Sequence, residues 1–201
     1  VGSNFTKNAV QNKYMNKFLS TLFLVFSVIV FSQSTQDLDL KNGFKQFKFG
    51  SSPAQIKNII PQKNQYSQNP NVKTYDYVGN DIQYIANVKV DNVILYFFKN
   101  KLFLIGANFG NMESQTDFTY VDYRNILSWL EQAYGKDWIQ PNNSDGVILN
   151  GAIWDGKKVK LELIRVDFSK SITNPENYGY ISGYISVFDK NLNKQRYSDE
   201  F

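Results

Sequence analysis

The stretch FTYVDYRNILSWLEQAYG, residues 118–135, decides the class of fold. Thr119 with Asp122 three positions on is a variant capping box, in which each side chain satisfies a backbone N–H that the first helical turn leaves free. Phe118 before the cap and Tyr123 at the fourth helical position form the hydrophobic staple that goes with it. Ile126, Leu127, Leu130, Ala133 and Tyr134 make one apolar stripe, and Gly135 is a left-handed terminator. The spacing predicts an amphipathic helix over 119–134, and its stripe needs a surface to cover.

Strand patterns on both sides supply that surface. Downstream, 147–154 is apolar, Asp155-Gly156 favours a two-residue hairpin, and Val159, Leu161 and Leu163 alternate with Lys158, Lys160 and Glu162. From Tyr178 to Phe188 the period of two returns, with Gly179, Ile181, Gly183, Ile185 and Val187 opposite Tyr178, Tyr180, Ser182, Tyr184 and Ser186. Upstream, 93–98 and 102–109 are apolar runs joined by a turn at Lys99-Asn100-Lys101. Ile82, Tyr84, Ala86, Val88 and Val90 read as one half-buried strand broken only by Ile85, and 72–78 carries Tyr75 and Tyr77 on one face. Ahead of these, Ser52 as N-cap, Pro53 at the first helical position and Ile56, Ile59 and Ile60 predict a two-turn helix that Pro61 ends.

The expected fold is therefore α+β: two successive helix-then-antiparallel-meander units, 44–110 and 117–188, within one domain over 44–188. Both helices should pack on one face of antiparallel sheet, either two small sheets or one continuous curved sheet. Residues 33–43 read as a polar linker and 189–201 as a polar tail without periodicity.

The segment 15–32 has the three parts of a secretory signal: Lys17 behind Met15, an apolar run over 18–31, and small and polar residues at Ser32-Gln33-Ser34. The run falls short of the ~20 residues that span a bilayer. Cleavage is expected between Ser32 and Gln33, leaving a periplasmic or extracellular protein with no stable membrane anchor. Residues 1–14 read as extraneous to the fold.

Composition narrows the chemistry. Among 201 residues there is no cysteine and no histidine, which excludes disulfides, thiolate nucleophiles, Ser/His/Asp catalysis and most transition-metal sites. The net charge of +4 rests largely on Lys7, Lys13 and Lys17. Without residues 1–32, 19 Lys and Arg face 18 Asp and Glu, so nucleic acid is not an expected partner. No cofactor and no metal are expected, and no catalytic motif is present.

Asp155, Glu162 and Asp167 cluster near the second hairpin, but the turn accounts for Asp155, and Glu162 shares a face with Lys158 and Lys160. The loop 142–145 has calcium-type oxygens without the spacing of a calcium loop. Gly50-Ser51-Ser52-Pro53 reads as a plain helix start rather than a phosphate cradle. Lysines dominate 41–73 and acids 113–155, which gives either two solvated faces or a dipolar surface that steers a charged partner, with Lys57 on its rim. Tyr178, Tyr180 and Tyr184, with Ser182 and Ser186, make a strand face suited to sugar stacking or a protein hot spot. The competing reading places those rings under a helix.

With Phe49-Gly50-Ser51-Ser52 before a short helix and Tyr134-Gly135-Lys136 closing the second, the order of elements resembles small secreted bacterial proteins of tandem helix-plus-meander build. These include the SmpA/OmlA outer-membrane assembly lipoproteins and the β-lactamase inhibitor proteins. The chain lacks the lipidation cysteine of the first group and the disulfides of the second. The resemblance implies a non-catalytic role with another protein as partner. The alternative is a carrier of a small apolar or sugar ligand between helix and sheet, and a carboxylate-dependent hydrolase is the third class.

Overall fold

Ser34 followed by Asp37 repeats the capping arrangement of Thr119 and Asp122, and it starts the first helix. In the computed structural model, which describes residues 34–63, 69–110, 116–143, 146–168 and 181–199, helix α1 is Thr35–Lys41. A small hairpin follows, β1 (Gly43–Phe44) with β2 (Phe47–Lys48), then a single 3-10 turn at Pro53–Gln55. Next come β3 (Ile59–Pro61), β4 (Val72–Tyr77), the short hairpin β5 (Tyr84–Ile85) and β6 (Val88–Lys89), β7 (Asn92–Phe98) and β8 (Lys101–Phe109). Helix α2 (Tyr120–Tyr134) leads to β9 (Ile148–Asp155), β10 (Val159–Asp167) and β11 (Ile181–Asp189), and helix α3 (Lys190–Ser198) ends the described chain.

Seven strands form one antiparallel sheet in the order β3-β4-β7-β8-β11-β10-β9. The two meanders thus share a sheet, joined where β11 pairs with β8 from Gly183↔Phe109 to Phe188↔Leu104. Period-two alternation gives the sheet two distinct faces. Leu95, Ile105, Leu161, Leu163 and Val187 turn to the main core, against Ile126, Leu130 and Tyr134 of α2 and Leu38 of α1. A bulge where β7 meets β8 pairs Tyr96 with Leu104 and Phe97 with Leu102, so Phe103 turns to the opposite face. There it joins Val72 and Phe98 in a second cluster, with Leu192 of α3 packed on it.

Helix α2 forms as its sequence predicts, with Thr119 Oγ1 accepting from the Asp122 N–H at 3.1 Å and the Asp122 carboxylate accepting from the Thr119 N–H at 3.1 Å. Gly135 takes φ 80° at its end. Phe118 stacks on Phe109 with centroids 5.2 Å apart, and its ring fills the space that a Cβ on Gly183 would need. Lys99 and Asn100 join β7 to β8 with φ 48° and 62°, the left-handed pair that a two-residue hairpin of matching twist requires.

Several expectations are corrected. The helix expected from Pro53 to Ile60 is only one 3-10 turn: Asn58 enters the left-handed region, and β-branched Ile59 and Ile60 pair with β4 as an edge strand that tolerates Pro61. The single strand expected over 82–90 is instead a hairpin turning at Ala86-Asn87, both with positive φ. Ile85, the residue that broke the alternation, is fully buried. The stretch read as a linker contains α1, and the stretch read as a tail contains α3. Finally, α3 packs on the sheet face opposite α1 and α2, so the helices do not share one face.

The Asp155-Gly156 hairpin is also longer than two residues, because residues 156–158 wrap around the carboxylate of Asp39 on α1. That carboxylate accepts from the N–H groups of Lys157, Lys158 and Val159 at 2.8, 2.9 and 2.9 Å. A Cβ on Gly156 would crowd the Asp39 carboxylate and come within 2.8 Å of the Val159 carbonyl oxygen, so glycine is favoured there. Burial alone would raise the Asp39 pKa, but the N–H donors of Lys158, Val159 and Lys157 and the Lys158 charge hold it below the ordinary carboxylate value. Its stabilisation is therefore complete above about pH 4, the unfolded value, and is lost as pH falls through the lower folded value. Asp39→Ala is expected to cost about 1–3 kcal/mol at neutral pH. The gap to the native chain should narrow in urea titrations below pH 4; a gap independent of pH would contradict this role.

The described residues lie in one compact unit, and among them no helix is long and apolar enough to cross a membrane.

Candidate functional site

The outward side chains of the central strands, rather than the core face, leave space. Between α3 and this face runs a groove of about 560 Å³, floored by Tyr96, Phe103, Leu104 and Phe188 and walled by Asn193, Arg196 and Tyr197 of α3. Ser186, Lys160 and Glu162 complete it toward β10. It continues around α3 as a second recess of about 540 Å³ that adds Asp155, Lys190 and Lys194. The volume falls within the ~300–1,000 Å³ common in binding sites.

Helix α3 is held by polar ties more than by burial. Asp189 caps it by accepting from the Leu192 N–H at 2.8 Å, and Lys190 Nζ lies 2.7 Å from the Asp155 carboxylate. At the other end Asp199 accepts from Lys99 and from Asn71, both at 2.8 Å. These side-chain bonds hold the Asp199 carboxyl below its ordinary pKa. Leu192 and Arg196, one turn apart, face the sheet, with the guanidinium 5.9 Å from the Phe103 ring and 3.9 Å from the Tyr197 ring. Asn193 and Tyr197, also one turn apart, line the groove.

Charge in the groove is uneven. Lys160, Lys190, Lys194 and Arg196 contribute four positive charges against Asp155 and Glu162. Lys160 Nζ pairs with Glu162 at 2.7 Å while lying 5.7 Å from the Phe188 ring centroid, so each acid has a lysine partner, and among the described residues the lining holds more basic than acidic side chains. An aromatic floor with such a rim accommodates an apolar side chain flanked by carboxylates.

Of the residues singled out from sequence, Tyr184 stands on this same outward face, two positions from Ser186, while Ile185 and Val187 are buried on the other side. Its ring is therefore not under α2. Burial, then the Glu162 carboxylate, raises the Tyr184 pKa. Tyr178 and Tyr180 lie outside the described residues. Lys57 is exposed in the bend before β3, four strand spacings or about 19 Å from β11, so Lys57 and Tyr184 are not brought together. Asp155 and Glu162 are both committed to lysines, and no cluster of three acidic side chains suited to a metal occurs among the described residues. The sequence does not announce α3, because its only apolar residues, Leu192 and Tyr197, are five apart and show no helical period.

No protein-family model matches the chain, and no curated protein or solved structure matches it.

Proposed function

We propose that this chain is an exported, non-catalytic protein-binding module that takes an acidic segment with an apolar anchor into the groove under α3. The observation that carries this is the contrast between the faces of one sheet. The inner face is filled by buried side chains, and the outer face carries an open groove of aromatic rings with excess positive charge. The Lys17-led apolar run supports export, and the commitment of Asp155 and Glu162 to lysines supports a role without catalysis. We extend the proposal to the chain's organisation: α1 with the strands up to β8, and α2 with β9 to β11, are two helix-then-meander units, α1 taking the place expected for the helix at Pro53.

The groove's volume favours a second reading, a carrier of a small ligand held between α3 and the sheet. Ser186→Trp separates the two. Filling an open groove should leave urea stability within about 1 kcal/mol, as for other surface changes. It should weaken a partner captured from envelope or medium fractions by about thirtyfold, the loss of one anchor contact worth ~2 kcal/mol. Lys57→Ala should leave that affinity unchanged. A small molecule released from the native protein and absent from Ser186→Trp would favour the carrier, and an unchanged partner affinity would overturn the groove assignment.

A further inference from the structure

The connection from α2 to β9 does two jobs, and the second points to a ligand. Its first job is to close the sheet edge. Ile139 exchanges two backbone hydrogen bonds with Ile153, both 2.9 Å. The Pro141 ring occupies the space beside Gly151, and the Asn143 side chain both accepts from the Ile148 N–H and donates to its carbonyl. An edge strand protected in this way does not template a further strand. The same connection stands off from α2, leaving a cleft of about 260 Å³ beside that edge.

We infer that this cleft, distinct from the groove under α3, binds a neutral saccharide. Its aromatic surface comes from the exposed ring of Tyr120 and the half-buried Trp138, with Tyr123, itself part of the core, behind Tyr120 and nearly parallel to it, 19° apart at 6.3 Å. Tyr120 is 53% exposed, so its ring is open to a ligand. Around the rings stand Arg124 and Gln140, and neither side chain has a hydrogen-bond partner among the described residues. A sugar ring offers an apolar C–H face and a rim of hydroxyls that both donate and accept. Ring stacking serves the face, and a guanidinium, a carboxamide and phenol hydroxyls serve the rim.

Other ligand classes fit less well. Arg124 in the lining disfavours a cation over the rings. A single guanidinium on a helix that also carries Asp122 and Glu131 is a poor phosphate site, and the polar walls disfavour a purely apolar guest. The cleft is smaller than the ~300–1,000 Å³ of drug-sized sites, so one end of a glycan enters while the rest stays outside.

Trp138 reports occupancy through its fluorescence. Titrating the protein with cellobiose, N,N′-diacetylchitobiose, xylobiose and mannobiose should give a saturable change with at least one of them. Tyr120→Ala and Gln140→Ala, both at exposed positions, should each weaken it about tenfold with the urea midpoint unmoved. Ser186→Trp should leave it intact, which separates this site from the groove. Sodium phosphate and choline should neither bind nor compete. No saturable response to any of the four sugars, equal affinity in Tyr120→Ala, or binding of phosphate or choline in their place would overturn the assignment.

Discussion

Trp154→Ala should be among the most damaging single changes in the chain, costing about 3–5 kcal/mol in urea unfolding. Trp154 is fully buried on β9, facing α2, and its Nε1 donates to the Gly135 carbonyl at 2.8 Å. One side chain thus fills the space between helix and sheet and satisfies a carbonyl at the helix end that has no partner within the helix. Trp154→Phe keeps most of the ring and loses that bond, so it should cost clearly less. If the two variants were equally destabilised, the hydrogen bond rather than the packing would be the main contribution, contrary to the burial seen.

Leu130→Ala should cost about 2–5 kcal/mol, because Leu130 is fully buried at the centre of the α2 stripe. Thr119→Ala, which removes only the cap, should cost about 1 kcal/mol. Chemical denaturation of the two variants beside the native chain checks the order, and the reverse order would mean that the inward face of α2 is misassigned.

Helix α2 was readable because cap, stripe and terminator lie within one short window and agree. Helix α1 carries a similar cap in Ser34 and Asp37, yet its seven residues bury only Leu38, too little for a stripe to register against polar surroundings. Helix α3 is harder still: the residues it turns to the sheet and groove, Leu192 with Arg196 and Asn193 with Tyr197, mix apolar with polar on each line. Its docking depends on distant partners, Asp155, Lys99 and Asn71, that no local pattern reveals. Ile56, Ile59 and Ile60 misled because their spacing fits a helix while their branching favours a strand, and edge pairing with β4 decided between them.

The candidate site divides in the same way. The face bearing Tyr184 and Ser186 follows from a period of two, and its separation from Ile185 and Val187 is visible in the sequence alone. The lid over that face and the excess charge around it depend on α3, so the groove itself was not readable. The same holds for the cleft beside β9, which Trp138 and Gln140 line with Tyr120 because Ile139 and Asn143 bind the connection to the sheet edge.

The most direct test of the groove as the recognition face is photo-crosslinking from a benzoylphenylalanine placed at Tyr197, compared with one placed at Lys57. Both positions are exposed, so the fold should tolerate either. The account predicts a partner adduct from position 197 that Ser186→Trp abolishes, and none from position 57. An adduct from position 57 alone, or one from 197 that persists when the groove is filled, would contradict it.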